Sequence, residues 1–374
     1  ENDEKGINEL TNWLDNKVNG TTGGGTTGGD ANPSTTPKIS TLVGKVVDKN
    51  TKAEDAYGNK ITIPKGFKIL EHNPTSSTGA VTYNYTNSEE TGEHIPAVQD
   101  GIVIENGTDG NQFVWVPVGT IKNKDNTTNT ITLGRYSDFT MTNGAVASGQ
   151  PVQVASVENC TQAVTIGNYY QELSTARVGN SAIDSTAENA TARNIAEFIS
   201  TTLANGGYYI ARFEASGTTS KISSKYGQKV LVSITQPNAA KLAREMYGEI
   251  KENDELVYAS DLVNSYAWDT AIIFIQTYSG TTNYASQNKS TSFANTGKND
   301  DKYCNIWDMS GNAWEWTTEY STDSNTSGFG PCVSHGGYFL TDDGGAIIYA
   351  SNRGCNITTS SSSRGGLRPL LYVK

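Results

Sequence analysis

Apolar and polar positions alternate in three different ways along the chain. In residues 3–18 (DEKGINELTNWLDNKV) Ile7, Leu10, Trp13, Leu14 and Val18 recur at helical spacing. One amphipathic helix is therefore expected over 1–18. A helix this short is marginal by itself in water. Two readings follow: a helix docked on its own chain, or the stub of a longer membrane-anchored helix. Residues 19–38 are dominated by Gly and Thr (NGTTGGGTTGGDANPSTTP) and offer almost nothing to bury, which is the composition of a flexible tether.

From residue 39 the pattern shortens to strands with frequent turn signals. Val43, Val46 and Val47 read as one strand closed by Asp48-Lys49-Asn50, and Lys60–Ile63 as another before Pro64 and Gly66. GIVIE (101–105), a turn at Asn106-Gly107 and QFVWVPV (112–118) read as a hairpin. Residues 120–185 carry only weak strand signals. Helical spacing returns in 185–203 and in 237–247, where Pro237 marks a first turn. The apolar segment 260–276 reads as a third helix, although Ile272–Ile275 also suits a strand. No period of 20–50 residues repeats, so solenoids and propellers are excluded.

Composition narrows the class. Hydrophobic residues make up 35% and charged residues 18%, so the polarity comes from Thr, Ser, Asn and Gly, as in a loop-rich β protein. The net charge of -11, without any Lys/Arg cluster, repels phosphate backbones and anionic membranes. No apolar run is long enough to span a bilayer. The chain opens at Glu1 without Met, which is expected of a processed or trimmed protein, and any anchor is then expected upstream. Cys160, Cys304, Cys332 and Cys355 show no C-x-x-C spacing. Two disulfides with three connectivities, or reduced thiols, are equally compatible with that spacing. No G-x-S-x-G, H-E-x-x-H, P-loop or Rossmann fingerprint occurs.

Residues 306–316 (IWDMSGNAWEW) hold three Trp around a Gly311-Asn312 turn. Trp307, Trp314 and Trp316 each bring a large apolar face and one N–H, so the local expectation is a tight turn pinned into a core. This stretch resembles the signature of the formylglycine-generating-enzyme, or sulfatase-modifying-factor, family. QFVWVPVGT (112–120), GGYYIARFEAS (206–216), HGGYF (335–339) and RGGLRPLLYV (364–373) resemble further family strands, in family order. The resemblance covers about residue 100 to the end. It implies an α+β, C-type-lectin-like domain over 101–374 with short twisted sheets and two to three helices. Residues 39–100 are then a β-rich N-terminal extension, preceded by the helix and the tether. Gly336, Gly337 and Arg368, with the three Trp, are expected to be structural.

In oxidase members of that family a cysteine pair after the R-G-G-S strand binds copper. The corresponding positions here are Thr341 and Ala346, and neither can replace a thiolate for copper(I). The sulfoxide synthase relatives use a histidine-rich iron site, whereas only His72, His94 and His335 occur here, scattered. The resemblance therefore implies a binder and no enzyme, with no required cofactor. It extends to the variable proteins of diversity-generating retroelements, whose C-terminal segment is rewritten at template adenines. Lys, Glu, Gln, Met and Trp are unreachable from asparagine codons by that route, and none appears from Tyr320 to Val373.

Residues 342–363 are accordingly the candidate variable segment. Asp342, Asp343, Ile347, Ile348, Tyr349, Asn352, Asn356, Thr358 and Ser360 are its candidate ligand-binding residues. The expected partner is a protein or glycan at an extracellular or cell-surface location, bacterial or phage, with no nucleic acid and no membrane insertion by this chain. The alternative is a structural, pilin-like protein that uses the domain as an assembly element. In the family the tryptophan motif often adjoins calcium, for which Asn312 and Glu315 offer oxygens.

Overall fold

The run Phe113-Val114-Trp115-Val116 is apolar on both faces, which suits a strand in the middle of a covered sheet. In the computed structural model it is one. The model describes residues 36–86, 93–136, 151–156, 170–172, 192–253, 255–281, 292–321, 330–339, 349–357 and 360–374. The helix expected over 1–18 and the tether as far as 35 lie outside the described residues, and residues 36–374 form one unit.

Its principal sheet uses β1 (Phe67–Ile69), β2 (Val103–Asn106), β3 (Gln112–Pro117), β7 (Gly207–Ala211), β8 (Glu249–Glu252), β9 (Glu255–Leu262) and β14 (Pro369–Val373). The order is β8-β9-β14-β7-β3-β2-β1, with every neighbour antiparallel. The stretch 39–100 thus contributes a strand to this sheet. A hairpin outside it pairs β4 (Gly119–Lys122) with β5 (Thr128–Ile131).

Three details differ from the sequence pattern. Val43, Val46 and Val47 make no strand, because Gly44 takes a left-handed φ of 74° and breaks the alternation. Val47 N instead donates to Phe67 O, and Val46 stays exposed. The turn after β2 is longer than Asn106-Gly107, since Asn106 Oδ1 accepts from both Thr108 N and Asp109 N. The segment 260–276 divides into the end of β9 and a helix, because Asn264 caps that helix by accepting from Ala267 N at 2.9 Å.

Three α-helices occur among the described residues. α1 (Ile195–Asn205) covers the later part of the helix expected over 185–203, whose first residues, 185–191, lie outside the described residues. Asn194 Oδ1 accepts from Glu197 N and sets the start there, while Gly206 at φ 73° ends the helix. α2 (Gln236–Tyr247) starts at the Thr235 cap with Pro237 in its first turn. α3 (Ser265–Tyr278) is buried all round from Ser265 to Ile275, Ile272–Ile275 included. A helix without a polar face must be covered on every side. Here β3 and β7 lie against one side and the second sheet against another. None of these helices is long and apolar enough to cross a membrane.

The second sheet runs β6-β10-β11-β12, made of β6 (Tyr170–Gln171), β10 (Trp314–Ser321), β11 (Cys332–His335) and β12 (Arg353–Asn356). β13 (Gly365–Leu367) joins β10 in parallel. Trp316, Cys332 and Leu367 form a core with Ala239, Ala240 and Ala243 of α2. The architecture is α+β with sheets that are antiparallel apart from the β10–β13 pair.

Candidate functional site

The tryptophan motif is wound by left-handed residues. Cys304, Asn305, Asp308, Gly311 and Asn312 all have positive φ, which Asn, Asp and Gly tolerate better than other residues. Backbone carbonyls are turned inward as a result. Arg368, fully buried, donates to Trp307 O at 2.9 Å, Asp308 O at 3.2 Å and Ala211 O at 2.9 Å. Its remaining donors form a bidentate pair with Glu315, at 2.8 and 2.6 Å. Trp316 is buried and donates from Nε1 to Ile234 O at 2.8 Å. Trp307 is buried with its ring stacked on Phe213. Trp314 is only half-buried, so two of the three rings are core anchors and the third borders the surface.

The same turn gathers Glu214, Asp301, Asp308 and Glu315 around Arg368. Burial, and then repulsion from Asp308, pushes Glu214 and Asp301 well above the carboxylate range. Burial also pushes Glu315 up, to about 7, against the pull of Arg368. Burial and mutual repulsion therefore disfavour full ionisation of this cluster. The oxygens expected to hold calcium are engaged by protein donors. Asn312 Oδ1 accepts from Ala294 N at 2.9 Å, while Nδ2 donates to Glu214. Glu315 gives both oxygens to Arg368. As arranged, these two side chains do not fit a calcium shell, which needs unpaired oxygens.

Gly311 N donates to Gly336 O at 2.6 Å, so the motif holds the Gly336-Gly337 turn directly. Both glycines have positive φ (85° and 72°). A Cβ on Gly336 would also stand 3.2 Å from the Trp268 ring. Beyond this turn the chain leads into the C-terminal segment. Asp342, Asp343, Ile347, Ile348 and Thr358 lie outside the described residues, as do Thr341 and Ala346. Tyr349, Asn352, Asn356 and Ser360 are described, and all four are half-buried. Asn352 N donates to Tyr349 O, and Ser360 N to Ile357 O, so a backbone hydrogen bond flanks β12 at each end. β12 is an edge strand among the described residues.

The Trp314 ring lies beside β12, 3.4 Å from where a Cβ on Gly354 would stand. Nearby, the Arg364 guanidinium sits 4.3 Å over the Tyr338 ring, and Phe339 meets Phe293 edge-on at 4.6 Å. Cys332 and Cys355 occupy adjacent strands, but Cys332 pairs with Asn356 and Cys355 with Val333. With a side-chain period of two they point to opposite faces, so they neither bridge each other nor grip one metal.

Beneath this surface lies a set of charges that the sequence pattern does not single out. Glu319 accepts from Arg353 Nε and His335 Nε2, each at 2.7 Å, and from Arg135 Nη2. Arg353 Nη2 also donates to Asp269 Oδ2 at 2.7 Å, and Tyr136 N to the same oxygen at 3.0 Å. All these side chains are buried. Burial would push Glu319 up, but Arg353, Arg135 and His335 outweigh it and hold the carboxyl well below its usual range. Burial, with Arg353, pushes His335 down against the opposing pull of Glu319. The available signal was one carboxylate, Asp269, inside the apolar run of α3.

The family model of the sulfatase-modifying factor enzyme 1-like domain matches residues 101–371. The chain belongs to this family. No curated protein and no solved structure matches it. In this sulfatase-modifying-factor member the matched span takes in all three helices, the tryptophan turn, Arg368 and the edge strand β12. β1 lies before the matched span yet completes the principal sheet.

Proposed function

We propose that this member of the family is a binding protein with no catalysis of its own, built on a C-type-lectin-like scaffold and displayed extracellularly or at a cell surface. A protein or glycan ligand is taken by the C-terminal segment 342–363, as in the variable proteins of diversity-generating retroelements. One observation carries the reading. The family frame of Trp316, Gly336, Gly337 and Arg368 is intact, while the two positions that would supply copper thiolates are Thr341 and Ala346.

The half-buried side chains of Tyr349, Asn352, Asn356 and Ser360 support it. An aromatic ring beside adaptable amides and hydroxyls is a common composition for a recognition surface. The Arg353–Glu319 network supports it too, since a rigid underside lets outer side chains change without loss of the fold.

The test has two arms. A cysteine-containing sulfatase peptide incubated with the copper-loaded chain is expected to yield no formylglycine by mass spectrometry, and turnover overturns the reading. The flanking DNA is expected to carry a reverse-transcriptase gene and a near-copy of the final coding segment differing at template adenines. If no such copy exists, the retroelement assignment fails.

A further inference from the structure

α3 runs away from the C-terminal surface, and its far end meets a cleft that the reading above does not use. Ten residues separate Trp268, beside the charge network, from Tyr278 in the cleft, which is about 15 Å along a helix. The cleft is shallow and open to solvent, with a volume of about 570 Å³. Four of its lining side chains are amides (Asn84, Gln99, Asn123 and Asn129), and Tyr278 supplies a half-buried ring.

Several of these groups are held in place before any ligand arrives. Tyr278 Oη donates to Asn123 Oδ1 at 3.0 Å, and Asn123 Nδ2 donates to Thr127 Oγ1 at 2.9 Å. The β4–β5 loop is closed by Asn123 N to Thr127 O, and by Asp125 Oδ1 accepting from Thr127 N at 3.0 Å. Across the cleft, buried Asp100 accepts from both Asn84 N and Asn84 Nδ2, at 2.9 and 3.0 Å. Gln99 has no hydrogen-bond partner among the described residues. Pre-set side chains lose little entropy on binding.

The lining selects a chemistry. Each amide offers a donor and an acceptor together, which matches a hydroxyl that both gives and takes a hydrogen bond. The Tyr278 ring adds an apolar face of the kind that covers the C–H side of a sugar ring. Asp100 and Asp125 outnumber Lys124, and the whole chain carries -11, so phosphate or carboxylate ligands are repelled. A purely apolar ligand would strip water from the amides without replacing its hydrogen bonds. We propose that this cleft binds a neutral carbohydrate, independently of the C-terminal surface.

The probes are cellohexaose, maltohexaose, mannohexaose and chitohexaose, titrated calorimetrically into the full chain. Saturable binding of at least one is expected at millimolar concentration or below. Replacing both Gln99 and Asn129 by Ala is expected to weaken it about tenfold or more. An exposed single change, Asn84→Ala, serves as the second variant and is expected to weaken it in the same direction. Asn352→Ala with Asn356→Ala, on the C-terminal surface, is expected to leave it unchanged. The proposal is overturned if none of the four sugars binds, if binding survives the Gln99 and Asn129 changes, or if it is lost with Asn352 and Asn356.

Discussion

Glu319→Gln is the sharpest single probe of the surface beneath β12. The substitution keeps the shape and removes the charge on which Arg135, Arg353 and His335 converge. Arg353 then keeps only Asp269 as an ion-pair partner, and Arg135 loses the carboxylate it pairs with. Breaking a buried ion pair from one side costs about 3–5 kcal/mol, because the partner stays charged away from water. A folded unit of about 340 residues has an unfolding entropy of roughly 0.7 kcal/mol/K, so the melting temperature should fall by about 4–7 °C. Lys241→Ala is the control. Its ion pair with Glu245 is 3.9 Å long and exposed on α2, so its removal should shift the melting temperature by less than about 1 °C.

The pH dependence adds a second readout. The folded pKa of Glu319 lies below its unfolded value. Its stabilisation is therefore complete above the ordinary carboxylate range and is lost as pH falls toward the folded pKa. The gap between wild type and Glu319→Gln, followed by calorimetry, should be full at pH 7 and narrow progressively as pH falls below about 4.5. A gap under about 1 °C at pH 7, or one that does not depend on pH, would refute the reasoning.

Two further outcomes follow from single residues. Glu172 accepts from Ser265 N, Ser265 Oγ and Thr318 Oγ1, yet burial raises its pKa to about 7. A raised carboxylate pKa means stability present below about pH 4.5 and lost as pH rises through 7, worth about 3 kcal/mol in all. Glu172→Gln should melt higher than wild type at pH 8 but not at pH 5, and parallel melting curves at both pH values would contradict this. At Gly101 φ is 77°, and a Cβ would stand 1.9 Å from Cys304 O. Gly101→Ala should therefore cost about 3 kcal/mol or more in urea unfolding. Gly58→Ala, equally left-handed (φ 85°) but with nothing within 4 Å, should cost only about 1–2 kcal/mol; equal costs would show that the carbonyl contact is not decisive.

The chain's local pattern determined what depends on neighbours in sequence. The apolar run of β3, the Pro237 first turn of α2 and the Gly311-Asn312 turn between tryptophans were legible, whereas the Thr235 cap was not read. Periodicity and turn chemistry act within a few residues, and the order of short motifs marks the family over 101–371. What lies far apart in the chain was not legible. Arg135 meets Glu319 across 184 positions, and Asn123 meets Tyr278 across 155. Strand pairing decides which charges converge, because a one-residue change of register would send every side chain to the other face. The same register turned Cys332 and Cys355 away from each other. Only the packed structure separated Trp314, half-buried beside β12, from Trp316, locked in the core.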